Sequence, residues 1–418
     1  MKINDNGRYA RPSVSTHKLS NGLRIIHQPF PSEISYCGIV VNTGSRDEFS
    51  DEHGMAHFVE HLLFKGTKKR KAHHVINRME NVGGELNAYT TKEETFIYTT
   101  FLSEYFERAM ELLSDIVFHS TFPENQIQKE RDVILDEINS YIDSPSELIF
   151  DDFENFLFPN HEIGHYILGT TESLLNLDKE KIGKFVNRQY SPENMVLFSF
   201  GKTPFSKVIR LSEQFFNLSH LSHSIFKKRE RPLIEVAKKY RVEKDTAQTH
   251  VMLGTHAFDM FHPDRYSLYL LNHILGGGSI NSRLNNSLRE KNGLVYNVES
   301  NLALYTDTGL FSIYFACDKK QVGRCLKLID KELQKLIEFP LSANQLTTAK
   351  RQYKGQLGIA SENNESIALR MAKSYLHFNH YLPLEEVFPK IDAITSEQIQ
   401  NLAEKLFISE QLCQLEYF

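Results

Sequence analysis

A chain of 418 residues is too long for one ordinary hydrophobic core and predicts two domains of roughly 200 residues each. With 41% hydrophobic and 24% charged residues it is neither disordered nor fibrous, and a net charge of −5 with short, mixed Lys/Arg runs excludes a nucleic-acid partner. No stretch approaches the ~20 apolar residues of a membrane helix, and Met1–Phe30 has no apolar core behind a basic start that would mark a secretory or transit segment.

Along the chain, Gly22-Leu-Arg-Ile-Ile-His27 and Gly38-Ile-Val-Val-Asn42 read as strands. Next comes His57-Phe-Val-Glu-His61 on a helical stretch, then Gly83-Gly84-Glu-Leu-Asn87-Ala88-Tyr-Thr90, a strand entered through a glycine turn. Glu130-Arg-Asp-Val-Ile-Leu-Asp-Glu137 reads as a helix with Val133 and Ile134 apolar. Charge clusters in Phe226-Lys-Lys-Arg-Glu-Arg-Pro232 before a strand-like run resumes at Tyr240, which places the expected domains at 1–225 and 226–418.

The two halves match each other. His57-Phe-Val-Glu-His-Leu-Leu-Phe-Lys-Gly66 aligns with Tyr269-Leu-Leu-Asn-His-Ile-Leu-Gly-Gly-Gly278 at an offset of 212 positions. Phe122-Pro123 then aligns with Phe339-Pro340, and Leu177–Ile182 with Ile394–Ile399, the offsets drifting only to 217. Three collinear matches predict one α/β unit used twice, with gaps absorbed in loops.

On a helix, residues four apart share a face, so His57 and His61 can direct imidazoles at one ion with Glu60 beside them. Zinc accepts such nitrogens, and a catalytic site typically has three protein ligands plus a water. Glu130 and Glu137, two turns apart on one side of their helix, are both candidates for the third: one can bind the metal while the other orients a histidine. The order His-x-x-Glu-His is the inverzincin signature.

With these residues in place the chain resembles the pitrilysin, insulinase and mitochondrial processing peptidase family of zinc metallopeptidases, in its short two-domain subfamily. Glu137 lies 76 residues after His61 with Glu130 the earlier acid, and Gly54–Thr67 resembles the family beyond the ligands themselves. The likeness implies an α+β fold of two duplicated α/β domains, each a mostly antiparallel sheet packed with helices (LuxS/metallohydrolase-like), together half of a peptidase clamshell. It implies one zinc per chain held by His57, His61 and Glu137, with Glu130 behind them and Glu60 as general base. It also implies that Asn87 and Ala88 lie on a strand edge to which an extended peptide can add. The activity implied is endopeptidase hydrolysis of short or unfolded peptides in a chamber closed by dimerisation, as a homodimer or with a sister chain. A non-catalytic subunit of the same fold is the alternative.

In the second half His57 becomes Tyr269, Glu60 becomes Asn272, Glu130 becomes Ala349 and Glu137 becomes Gln356, so His273 is read as structural and this half as metal-free. Arg289 and Tyr296 resemble the family's Arg/Tyr pair, which implies a hydrogen bond from Tyr296 to an oxyanion and an anchor for the neighbouring carbonyl from Arg289. Gly276-Gly277-Gly278 lacks the GxxxxGK[ST] frame of a phosphate loop. Cys37, Cys317, Cys325 and Cys413 have no CxxC spacing and read as free thiols of a reducing compartment, giving a cytoplasmic enzyme.

Overall fold

A computed structural model describes residues 13–217, 226–233, 238–408 and 411–418. Residues 1–12, part of the stretch read above as carrying no leader, and residue 225 at the expected domain boundary lie outside it.

The first six strands are β1 (Ser15–Lys18), β2 (Arg24–Pro29), β3 (Ile34–Val41), β4 (Glu85–Thr90), β5 (Thr95–Leu102) and β6 (Met195–Gly201). They form one sheet in the order β1-β2-β6-β3-β5-β4, in which only β2 and β6 run parallel. Helices α1 (Met55–Leu63) and α2 (Ala72–Glu80) connect β3 to β4. After β5 come α3 (Phe106–His119), α4 (Glu124–Ile142), α5 (Pro145–Leu157), α6 (Thr171–Leu175) and α7 (Lys179–Gln189), with α8 (Phe205–Phe216) behind β6.

The second set, β7 (Lys239–Val242), β8 (Thr249–Ala257), β9 (Val298–Leu304), β10 (Gly309–Cys317) and β11 (Cys413–Tyr417), is ordered β7-β11-β8-β10-β9, with only β7 and β11 parallel. Helix α9 (Arg265–Leu275) joins β8 to β9. Between β10 and β11 lie α10 (Val322–Glu338), α11 (Ala343–Ala360), α12 (Asn364–Phe378), α13 (Leu384–Asp392) and α14 (Ser396–Leu406). Read from the parallel pair outward, the sheets have the same strand order, the first adding β1 at its edge. The expected fold class and duplication are therefore present.

The chain's two compact units are not simple halves. One comprises 1–138, 166–228 and 361–381; the other comprises 139–165, 229–360 and 382–418. The chain passes between the units several times, at 228/229 among other places, and the reason lies in the sheets. Strands such as β6 are buried along their whole length, so both faces need apolar cover. On the first sheet, α1, α3 and α4 pack one face through Phe58, Leu62, Ile116, Ile127 and Ile134. The opposite face, with Ile26, Val40, Phe96 and Phe198, is covered by Ile367, Ala368, Met371 and Ala372 of α12, from late in the chain. The second sheet receives α5 in the same way: Ile149, Phe153 and Leu157 pack against Met252, Tyr314 and Leu415. Each half of the sequence supplies the backing helix of the other half's sheet.

Among the described residues no helix is long and apolar enough to cross a membrane.

Candidate metal centre

Helix α1 is buried over nearly its whole length, and its start is fixed by unusual means. Gly54 has φ +89°, and a Cβ there would meet the Leu168 carbonyl oxygen at 2.7 Å, so only glycine fits. No side chain at that position can cap the helix. Instead the buried Glu48 carboxylate accepts from the Gly54 and Ala56 amides at 2.9 and 2.8 Å, satisfying donors that an uncapped helix would leave orphaned.

This fixed helix aims His57 and His61 to one side, with ring centroids 4.6 Å apart. Glu137, on α4, brings Oε2 to 3.9 Å from His57 Nε2 and 3.8 Å from His61 Nε2. Helix α4 is held by Ile127, Ile134 and Ile138 in the core, which places Glu130 and Glu137 on the flank of the same buried stripe; Val133 is half exposed. The three donor atoms all lie within 4.8 Å of one another. A tetrahedral ion with bonds of ~2.0–2.1 Å separates its donors by roughly 3.3 Å, so small side-chain adjustments fit the set to zinc, and two imidazoles with a carboxylate are a donor set zinc accepts.

Glu130 sits differently. Its Oε2 lies 3.3 Å from His61 Nδ1 and its Oε1 2.8 Å from Lys65 Nζ. Donation from His61 Nδ1–H to Glu130 leaves the Nε2 lone pair facing Glu137, where a metal would be held. Of the two acids left open by spacing alone, Glu137 is the one whose carboxylate lies near both Nε2 atoms. Lys65, four residues beyond His61, was not singled out from sequence; it lies past the end of α1 at Leu63, so helical period gave no signal for it.

His57 is held at a pKa of about 3, by burial and then by the neighbouring His61, and so stays neutral as a metal ligand must. Glu60 is buried, and burial raises its pKa; Thr90 and His61 act against that rise, and Glu137 adds to it. Thr90 Oγ1 donates to Glu60 Oε2 at 2.5 Å, a contact that sequence reasoning did not identify. Asn87 and Ala88 lie on β4, the sheet's last strand, paired with Tyr98 and Ile97 on one side and, among the described residues, with no strand on the other.

Arg289 and Tyr296 belong to the second compact unit, apart in the chain's organisation from the donor cluster. They are close to each other, the guanidinium lying 5.3 Å from the Tyr296 ring centroid, and Tyr296 is 81% exposed. His273 is buried, its ring 5.2 Å from that of Tyr353.

The insulinase family model (peptidase family M16) matches residues 24–171, and that of the peptidase M16 inactive domain matches 176–353. An uncharacterized zinc protease of Bacillus subtilis, YmxG, is 32% identical over 95% of this chain and 96% of its own length. One from Rickettsia felis is 33% identical over 96% of each. The chain belongs to peptidase family M16. A solved protease from Helicobacter pylori has the same fold, with a TM-score of 0.90 at 22% identity, covering 97% of this chain and all of that one. A structure titled peptidase M16 inactive domain, from Pseudomonas fluorescens, superposes with a TM-score of 0.89 at 21% identity, covering 97% of this chain and 98% of that one. In this M16 chain all three metal-ligand candidates, with Glu60, Thr90 and Glu130, fall inside the first matched segment. Arg289, Tyr296 and His273 fall inside the second.

Proposed function

We propose that the chain is a zinc-dependent endopeptidase that hydrolyses short or unfolded peptides in an enclosed chamber, with Glu60 as general base. The observation that carries this reading is the convergence of His57, His61 and Glu137 beside a buried carboxylate on the same helix. The names of the full-length relatives, zinc proteases, support the same activity.

Zinc bound by these three residues, one ion per chain, would supply Lewis acidity that lowers the pKa of a water and polarises the scissile carbonyl. Glu60 takes the proton of the attacking water and delivers it to the leaving amine. Burial, by raising its pKa, brings its proton affinity nearer to that task. Glu130 keeps His61 in the tautomer that presents Nε2. The free side of β4 at Asn87 and Ala88 offers backbone groups to an extended peptide, which adds as a further strand. Tyr296 donates to the oxyanion and Arg289 anchors the adjacent carbonyl; the exposure of Tyr296 leaves its hydroxyl available to a substrate, and Arg289 lies beside it with Glu290 3.9 Å from its Nε. The active form is a homodimer of cytoplasmic chains, a placement supported by four buried cysteines that form no disulfide.

Glu60→Gln tests the core of the reading. The variant retains zinc by metal analysis and loses about 10²–10⁴-fold in kcat on a quenched peptide library. Near-normal cleavage, or loss of zinc, would overturn the assignment. Size determination of the active species tests the dimer, which a monomer of full activity excludes.

A further inference from the structure

The group that meets the candidate base is the hydroxyl of Thr90. At 2.5 Å from Glu60 Oε2 it donates a charge-assisted hydrogen bond, the short and directional kind. It engages one carboxylate oxygen, fixing the plane of the group while the other oxygen is left to exchange a proton.

Both ends of this bond are fixed to one frame. Thr90 ends β4, and the turn that follows carries Lys92, Glu93 and Glu94, three consecutive charged residues that are all buried. Buried charges need partners, and here the acids have them. Glu93 pairs with Arg46 at 2.5 Å; Glu94 pairs with His377 at 2.6 Å and Lys373 at 2.9 Å, both on α12, and accepts from Thr91 Oγ1 at 2.6 Å. The Arg46 amide donates to the Lys92 carbonyl at 2.9 Å, and a Cβ on Gly44 would lie 2.2 Å from the Thr91 carbonyl oxygen, so the loop and the turn are pressed together. That same loop contains Glu48, whose carboxylate holds the start of α1. One short loop, Gly44–Glu48, therefore braces both the helix bearing Glu60 and the turn behind Thr90.

We propose that Thr90 is a positioning residue for peptide hydrolysis, its hydroxyl holding the Glu60 carboxylate in the orientation from which it takes the water's proton. This rests on the reading of Glu60 as general base. A positioned carboxylate removes the need to find its geometry during each turnover, which is the benefit of preorganisation.

The test uses the full chain with Thr90→Val, which keeps the β-branched shape and removes the hydroxyl, Thr90→Ala in case valine crowds the site, and Thr90→Ser, which keeps the hydroxyl. Valine and alanine are expected to lower kcat roughly 10- to 100-fold, the worth of one hydrogen bond to a charged group, with KM changed less than about twofold. Serine restores kcat to within about threefold of wild type, and zinc content is the same in all four proteins. A readout independent of turnover is the infrared carboxylate band that disappears in Glu60→Gln: it shifts in Thr90→Val and returns in Thr90→Ser. Wild-type kcat in the valine and alanine variants, an unmoved band, or zinc loss in the valine and alanine variants would overturn the proposal. Glu60→Gln measured alongside separates the two readings. Normal cleavage by that variant removes the base and the positioning role with it, whereas its inactivity beside a fully active Thr90→Val removes Thr90 alone.

Discussion

Helices α1 and α4 in one compact unit and α9 and α11 in the other stand at equivalent places in sheets of the same strand order, yet carry opposite chemistry. The first pair presents His57, Glu60, His61, Glu130 and Glu137; the second presents Tyr269, Asn272, His273, Ala349 and Gln356. In the first, two Nε2 atoms face one carboxylate oxygen at just under 4 Å. In the second, the equivalent amide, Gln356 Nε2, donates to Ser279 Oγ at 2.7 Å, and the surviving imidazole lies against Tyr353. The duplicated fold thus holds either a converging donor set or a packed aromatic and amide cluster with little change in backbone plan. Function resides in the side chains grafted onto it.

The largest effect should come from making the first site resemble the second. His61→Phe removes a donor that no neighbour replaces, and zinc in the purified variant should fall to background by metal analysis, with peptide cleavage lost alongside. Retention of stoichiometric zinc would break the comparison outright. The next effect concerns the backing helices. On the first sheet α12 brings Lys373 and His377 to the buried Glu94, whereas α5 on the second brings acids, Glu154 to Tyr305 and Asp152 to Tyr417. Glu94→Gln takes from Lys373 and His377 the buried carboxylate they share, and, with Lys373 partly in solvent, a loss of about 1–3 kcal/mol in chemical denaturation is expected. Burial alone would raise the Glu94 pKa; His377, Lys373 and Thr91 outweigh it and hold the carboxyl well below its ordinary 4.5. A depressed folded-state pKa contributes stability that is complete above the unfolded value and lost as pH falls below it. Wild type should therefore weaken below about pH 5 more steeply than Glu94→Gln.

How much of this was readable in the sequence depended on the distance over which each contact acts. His57, Glu60 and His61 were legible because helical period alone puts them on one face. The equivalence of the two helix pairs was legible because the duplication left collinear strings. Glu130 and Glu137 could not be told apart by period, since both lie on one side of α4; their roles depend on where α1 stands. Thr90 was part of a recognised string but gave no sign of its target, because a threonine in a strand is ordinary and its partner is 30 positions away. The exchange of backing helices was hidden for a stronger reason. Ile367 and Met371 read as the apolar face of any amphipathic helix, and nothing local states that their sheet begins more than 330 residues earlier.

A smaller effect should attend Glu130→Gln, which takes away the acceptor opposite His61 Nδ1 and the charge beside Lys65 while leaving all three proposed ligands in place. Zinc affinity measured by competition with a chromophoric chelator is expected to fall about 10- to 100-fold. An unchanged affinity would mean that the first site needs no more support than the second, where the equivalent residue is Ala349.

The smallest effect is expected at the one imidazole common to both sites. His273→Phe keeps an aromatic ring against Tyr353 and should leave zinc content and cleavage at wild-type levels, with stability at pH 7 changed by no more than about 1 kcal/mol. Its signature is in the pH dependence. Burial lowers the His273 pKa below its ordinary 6.5, against hydrogen bonds with Gln356 and Gly277 that act to raise it, so the unfolded chain binds this proton more readily than the folded one. The stability tied to the neutral ring is complete above pH 6.5 and lost as pH falls below that value. Phenylalanine has no proton to gain, so the variant should lose less stability than wild type between pH 7 and pH 5. A drop in zinc content on His273→Phe would show instead that the second imidazole has kept its partner's chemistry, and the division of labour between the two helix pairs would have to be redrawn.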